Sequence, residues 1–178
     1  GCTSLEKFVV PETVEKINAG AFRNCTNLKE ITIPATVSYM GSGLTFANCT
    51  SLKTVNWPAA TTTIPGSTFM ESGLETFTIP ETITEIGQQA FMNCTALKSI
   101  TIPSSVKMIG ASAFKGCTGI SAFTVPSGVE NIGNEAFFGT KATTFSIPAS
   151  VTTIGQKAFN SNPSITNFTI ESGSAYSV

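Results

Sequence analysis

The 178-residue sequence contains no histidine and no aspartate, and all eleven of its acidic residues are glutamates. These absences exclude a Ser-His-Asp triad, a Cys-His dyad, an HExxH zinc helix, an EF-hand loop and a pair of catalytic aspartates, because each needs a residue type that the chain lacks. Glutamate pairs such as Glu81 and Glu85 remain. The repeat pattern places both on the exposed exterior of the chain, which does not suit a glycosidase-like acid and base. We therefore predict that the chain is not an enzyme and uses no cofactor and no metal.

Charge is also sparse, because charged residues form only 12% of the chain and the formal net charge is −1. No block of like charge is present, so the sequence has no electrostatic footprint for nucleic acid or for an anionic membrane surface. No apolar run approaches the roughly 18 residues that span a bilayer, and the first residues do not follow the signal-peptide pattern. A hydrophobic content of 41% nevertheless favours a folded chain with a sizeable core.

A unit of about 23 residues repeats along the chain, marked by phenylalanines and prolines that recur every 22 to 24 residues. Self-similarity at this period means that each copy is one supersecondary unit, which buries its apolar face only by stacking on its neighbours. We therefore predict a solenoid that forms a single domain over residues 1–178. The copies lie near residues 1–18, which is a partial copy, and near 19–41, 42–65, 66–87, 88–110, 111–133, 134–155 and 156–178. Because the chain begins inside a copy, we expect it to be a piece of a longer protein.

Each copy carries the pattern Leu-x-x-Ile-x-Ile before its proline, as in residues 97–103. The alternation of apolar residues with threonine predicts a half-buried strand, and the proline ends that strand because it has no N–H to donate. A second apolar pair, Val106 and Ile109 in the same copy, predicts another short extended segment on the opposite side of the coil. The glycine that follows, Gly110 in this copy, is expected to turn the chain through a positive φ angle. Its counterparts are Gly41, Gly87, Gly133 and Gly155.

Stacked in register, the Leu-x-x-Ile-x-Ile strands predict one parallel sheet of about seven to eight short strands, buried on one face and open on the other. The open face is the predicted binding surface, and its outward strand column is mostly threonine. Threonine there also fits plain strand propensity, so a solvated face without a ligand stays an alternative. The candidate partner-binding residues at the middle of this face are Glu30, Thr32, Asn56, Thr78, Lys98 and Thr101.

Five cysteines recur at one column of the repeat rather than in the close pairs of a zinc site. The same column also accepts serine, threonine and asparagine, which indicates a small buried side chain whose thiol or hydroxyl bonds the turn backbone. Disulfides and metal binding are the alternatives, although in-register stacking keeps the Cβ vectors parallel and gives no tetrahedral convergence. The column contains Cys2, Cys25, Cys49, Ser72, Cys94, Cys117, Thr140 and Asn162.

The copy at 42–65 departs from the pattern at several columns. It has Thr45, Thr61 and Pro65 where other copies have alanine, valine and glycine. We expect these changes to loosen the stack without breaking it.

Trp57, the only tryptophan, stands in an inward apolar column. We expect it to pack in the core, with ligand contact as the alternative.

The full spaced pattern Leu-x-x-Ile-x-Ile-Pro-x-x-Val-x-x-Ile-Gly-x-x-Ala-Phe-x-x-Cys runs from Cys2 to Ile170. It resembles the BspA-like, Treponema-type leucine-rich repeat. The resemblance implies a leucine-rich-repeat solenoid of the α/β-horseshoe class, β-dominated with little regular helix, in which a right-handed coil lines up its strands in one parallel sheet. The ending, residues 171–178, resembles the segment with which such arrays pass into a following sequence.

The resemblance also implies a family of mostly bacterial proteins that are often surface-exposed or secreted, some of which adhere to host or microbial proteins. We therefore expect a non-enzymatic interaction or adhesion module at the cell surface or in the secreted fraction, with a protein partner and with a glycan as an alternative. Two other hypotheses stay open. One is a structural spacer of a cell-surface protein, and the other is an intracellular interaction scaffold.

Overall fold

The computed structural model describes residues 1–171, and this range contains fourteen short β-strands and no helix. The strands form two series, one from the Leu-x-x-Ile-x-Ile pattern and one from the second apolar pair. The first series comprises β1 (Lys7–Val9), β3 (Glu30–Thr32), β6 (Thr76–Thr78), β8 (Ser99–Thr101), β10 (Ala122–Thr124), β12 (Thr144–Ile147) and β14 (Asn167–Ile170). The second series comprises β2 (Lys16–Ile17), β4 (Tyr39–Met40), β5 (Thr63–Ile64), β7 (Glu85–Ile86), β9 (Met108–Ile109), β11 (Asn131–Ile132) and β13 (Thr153–Ile154). The predicted passage into a following sequence lies, after residue 171, outside the described residues.

Paired strands run parallel, and each pairs with the equivalent strand of a neighbouring coil so that like columns face each other. Ile86 is the register partner of Ile109 in the second series, and Phe145 is the partner of Phe168 in the first. One repeat therefore makes one coil, because the chain returns to the same column after each copy. The predicted solenoid of parallel strands, β-dominated with little regular helix, is confirmed.

Phenylalanine rings form a continuous column through the core from Phe22 to Phe159. Successive ring centroids lie 5.3–5.5 Å apart, and the planes differ by 3–17°. Offset stacking at such a separation is a favourable aromatic geometry. The rings of Phe91 and Phe114, for example, lie 5.3 Å apart and nearly parallel. Each ring thus belongs to the core of two coils at once, which ties neighbouring repeats together.

The turn that carries each phenylalanine forms a third line of hydrogen bonds between coils. The N–H of Gln89 donates to the carbonyl oxygen of Ala111 at 2.8 Å, and that of Asn93 donates to Lys115 at 2.7 Å. Both donors have a positive φ, 59° and 58°, a conformation in which asparagine is enriched. Positive φ recurs at the same two places in other coils, at Asn24, Leu44, Asn48, Ser67, Glu71, Ser112, Glu135, Lys157 and Ser161.

The prediction that Gly110 and its counterparts turn through a positive φ is wrong, because the glycines with positive φ stand at other positions of the repeat. Gly110 is instead needed for close approach between coils. A Cβ atom there would lie 2.6 Å from the backbone nitrogen of Gln88, the residue that follows the equivalent glycine, Gly87. The N–H of Gly110 also donates to the carbonyl oxygen of Ile86 at 2.8 Å, so the lack of a side chain permits this bond.

The first series does not form the single sheet that was expected. It is divided into β1–β3, β6–β8 and β10–β12–β14, and the second series into β2–β4 and a five-stranded sheet from β5 to β13. In both series the pairing between neighbouring strands is interrupted next to the repeat at 42–65. The first series has a further gap between β8 and β10, which nothing in the local residues explains.

Pro65 accounts for the gap in the second series. In other coils the glycine at this column donates its N–H to the coil before it, as Gly87 does to Ile64 at 2.8 Å. Proline has no N–H to give. The turn ladder nevertheless continues, because the N–H of Phe22 donates to Thr45 at 3.0 Å. The stack at this repeat is therefore loosened and not broken, as the sequence predicts.

Candidate functional site

The open face of the solenoid carries the outward side chains of the first series. All six candidate residues are exposed there, namely Glu30, Thr32, Asn56, Thr78, Lys98 and Thr101. Thr78 and Thr101 are register partners in the β6–β8 sheet, and Lys98 directly precedes β8. Glu30 and Thr32 share β3. The irregular segment 54–57, which contains Asn56, separates these two groups.

Ion pairs join neighbouring coils along one side of this face. Lys29 binds Glu6 at 2.9 Å, and Lys7 binds Glu30 at 3.0 Å. Both pairs lie in solvent, where such pairs stabilise a fold only slightly. Each pair joins opposite charges on two neighbouring coils.

Glu75 is the centre of a bridge that spans three coils. Its carboxylate lies 3.1 Å from the ammonium of Lys53 in one neighbouring coil and 3.3 Å from that of Lys98 in the other. The hydrogen bond from Lys53, then that from Lys98, hold the pKa of the Glu75 carboxyl below its usual value. Sequence reasoning did not include Lys53 and Glu75 among the binding residues. The sequence does indicate this bridge, because Lys53, Glu75 and Lys98 each directly follow the leucine of their repeat and their charges alternate in sign.

A groove of about 550 Å³ opens on the face between the repeats at 42–65 and 66–87. It is lined by Thr54, Val55, Asn56, Trp57, Thr76, Phe77, Thr78 and Pro80. Its volume lies within the roughly 300–1,000 Å³ of ordinary ligand pockets. The floor is apolar, since Val55, Trp57 and Phe77 are buried, and the rim consists of exposed threonine hydroxyls and the amide of Asn56.

Trp57 packs in the core, as predicted, with only 7% of its surface exposed. Its ring lies edge-on to Phe69 at 5.6 Å and to Phe77 at 6.2 Å. The indole Nε1–H donates to Thr61 Oγ1 at 2.7 Å, and that hydroxyl donates to the carbonyl oxygen of Pro58 at 2.8 Å. The threonine that replaces valine in this repeat therefore satisfies the one polar atom that the tryptophan brings into the core.

The cysteine column bonds the turn backbone of the preceding coil, which confirms its predicted structural role. The thiol of Cys94 donates to the carbonyl oxygen of Phe69 at 3.0 Å, and the thiol of Cys117 donates to that of Phe91 at 3.0 Å. Asn162 donates to the corresponding carbonyl through its Nδ2 atom. All five cysteines are free.

Burial makes the thiols of Cys49, Cys94 and Cys117 poor nucleophiles. It raises the pKa of Cys49 to about 12 and that of Cys94 to about 11, and it holds the pKa of Cys117 well above its ordinary value. Reactivity requires the thiolate, which these residues scarcely form near neutral pH.

Over residues 1–171, no group of three or more histidine, cysteine, aspartate or glutamate side chains could hold a metal ion. Among the same residues, no helix has the length and apolarity to cross a membrane.

Comparison with solved structures supports the fold. A leucine-rich repeat protein from Bacteroides ovatus aligns with 99% of this chain and 63% of its own length, at 22% identity and a TM-score of 0.74. A leucine-rich cell surface protein from Faecalibacterium prausnitzii aligns with 96% of this chain and 61% of its own length, at 22% identity and a TM-score of 0.64. The leucine-rich repeat protein of T. pallidum aligns with 93% of this chain and 71% of its own, at 20% identity and a TM-score of 0.63. The chain thus spans less than two thirds of the first two structures.

Comparison of the sequence itself identifies the family. No curated protein matches the sequence significantly. The family model of the BspA type leucine-rich repeat region matches it in six copies, over residues 1–120 and 84–177. Since these two stretches cover nearly the whole sequence, the chain belongs to the BspA-type leucine-rich repeat family.

Proposed function

We propose that this chain is a non-enzymatic interaction module that binds a partner protein through the open strand face. Leucine-rich repeat proteins generally mediate protein interaction, which supports the broad class. The observation that carries the proposal is the exposure of all six candidate residues, on a face whose other side is buried in one shared core. Because stacked coils hold this face rigid, binding needs little ordering of the module.

The charges of the face suit a protein partner. Glu30 and Lys98 stand among oriented ion pairs, and complementary charges across an interface favour correct partners over wrong ones. Exposed threonines beside them offer hydrogen bonds from positions that the strands fix. A glycan could use the same hydroxyls but would gain little from the ion pairs.

The proposed setting is the cell surface or the secreted fraction of a bacterium. One of the similar structures is described as a cell surface protein, and this supports the setting by analogy. Adhesion would follow if the partner lies on another cell.

The test compares two charge-swapped variants that leave net charge unchanged. Glu30→Lys with Lys98→Glu alters the open face, whereas Lys107→Glu with Glu130→Lys exchanges an exposed ion pair next to the second series. Each protein is applied to an array of purified secreted and cell-surface proteins and to a glycan array. We expect a protein captured by the native chain and by the control variant, and at least tenfold weaker capture by the open-face variant. Equal capture by all three proteins, or capture of glycans alone, would contradict the proposal.

A further inference from the structure

Residues 54–57 have the side-chain pattern of a strand but lack its backbone pairing. Thr54 and Asn56 are exposed while Val55 and Trp57 are buried, which is the alternation of a half-buried strand. Within the described chain, no backbone-to-backbone hydrogen bond joins any of these four residues to the coil on either side. Four consecutive residues at the middle of the face thus keep free N–H and carbonyl groups.

A second free edge faces this segment across the groove. Strand β6 pairs with β8 on one side only, so its other edge is open toward residues 54–57. The two segments meet at their start, where the N–H of Glu75 donates to the carbonyl oxygen of Lys53 at 3.0 Å. Beyond that bond they have no further backbone contact by hydrogen bonds, and the groove lies between them.

Trp57 gives a physical reason for the separation. It occupies a column that other repeats fill with isoleucine or valine, and a larger side chain in a packed core forces backbone shifts. Its bond to Thr61 holds the indole toward the following turn. The two departures from the repeat pattern, tryptophan in place of isoleucine and threonine in place of valine, therefore act together.

We propose that this groove binds an extended segment of a partner protein, which pairs with the free backbone groups of residues 54–57 and β6 and places an acidic side chain near Lys53. The inference rests on the interaction function proposed above and specifies its partner. Free strand edges are templates for added strands, since a peptide backbone repeats donors and acceptors at the strand period. Alternate side chains of such a segment would meet the apolar floor at Trp57 and Phe77.

The charge at the start of the groove sets the preference for an acidic residue. Lys53 and Lys98 together carry two positive charges against the one negative charge of Glu75, which leaves a net charge of +1. The side chain of Lys98 is 72% exposed and that of Lys53 is 52% exposed. Both ammonium groups are therefore accessible to a second carboxylate.

The test uses a displayed library of random hexapeptides, selected on the native chain and counter-selected on a variant with Trp57→Ile and Thr61→Val. This variant restores the residues of the other repeats, so it should close the gap and keep the fold. We expect the selected peptides to be enriched in aspartate and glutamate. Their synthetic forms should bind the variant at least tenfold more weakly than the native chain.

Two controls address the mode of binding. N-methylation of alternate peptide amides removes the backbone donors on one edge of the segment. Since the segment pairs on both edges, methylation on either edge should weaken binding at least tenfold. Lys53→Ser leaves the core untouched and should lower affinity severalfold, with an effect that shrinks at high salt. This surface variant keeps the test decisive if the core variant does not fold.

The outcomes separate this inference from the function on which it rests. The inference fails if no peptide distinguishes the two proteins, if N-methylation on either edge has no effect, or if a glycan competes for the groove. If array capture is lost with the Glu30 and Lys98 swap but kept with Trp57→Ile and Thr61→Val, the open face is the binding surface and the groove is not. If capture survives both variants, the proposed function fails as well.

Discussion

Replacing Phe91 by alanine should remove a large part of the stability of the array. The ring is fully buried, stacks on Phe69 at 5.4 Å and on Phe114 at 5.3 Å, and meets Phe77 edge-on at 5.3 Å. Truncation of a buried phenylalanine to alanine costs about 3–5 kcal/mol. With three aromatic neighbours on Phe91, we expect a loss near the upper end of that range. Total stabilities are about 5–15 kcal/mol, so the loss would be readily measured.

Phe22→Ala is the matched control at the first ring of the column. Phe22 is only half-buried and stacks on a single equivalent ring, that of Phe46, at 5.5 Å. Because the removed area is smaller and the space left by the ring is open to water, we expect about half the loss found for Phe91.

Urea denaturation followed by circular dichroism measures both losses. Because repeats interact only with their nearest neighbours, a defect at Phe91 should also divide the array, so that the two parts unfold separately and the apparent m-value falls. An equal loss of stability for the two variants, with an unchanged m-value, would refute the idea that the rings form one shared core.

Three further predictions concern individual residues. A thiol reagent near neutral pH should modify the exposed Cys2 quickly and Cys117 only on unfolding, because burial raises the pKa of the Cys117 thiol. Glu75 should stabilise the fold above its ordinary pKa of 4.5 and lose this effect as pH falls through its lowered folded-state pKa. Glu75→Gln should therefore show a weaker loss of melting temperature on acidification at low salt. Gly110→Ala should destabilise the chain by about 1–3 kcal/mol in urea titrations, because its Cβ would meet the backbone of Gln88.

The repeated columns made most of the fold predictable from the sequence. The phenylalanine stack, the strand column and the burial of Trp57 follow from the residue type at each position and its period, and these are local signals repeated many times. The role of the cysteine column was predictable for the same reason, since only small side chains with a polar atom occur there.

The predictions that were wrong concern features that depend on contacts between neighbouring coils. Glycine at Gly110 has two physical uses, positive φ and close approach, and the sequence alone does not separate them. The gaps beside the repeat at 42–65 depend on the combined effects of the size of Trp57 and the missing N–H of Pro65. The groove lies between the irregular segment 54–57 of one repeat and β6 of the next, so no single repeat predicts it. Only the bridge at Glu75 had a sequence signal that was overlooked.

Amide hydrogen exchange, measured on the free chain and on the chain saturated with a selected peptide or captured protein, tests the central claim most directly. In the free chain, residues 54–57 should exchange quickly while the paired strand β12 exchanges slowly. Binding should then slow exchange at 54–57 and along the open face, and leave the second series, such as β9, unchanged. Slow exchange at 54–57 in the free chain, or new protection confined to the second series, would contradict the account.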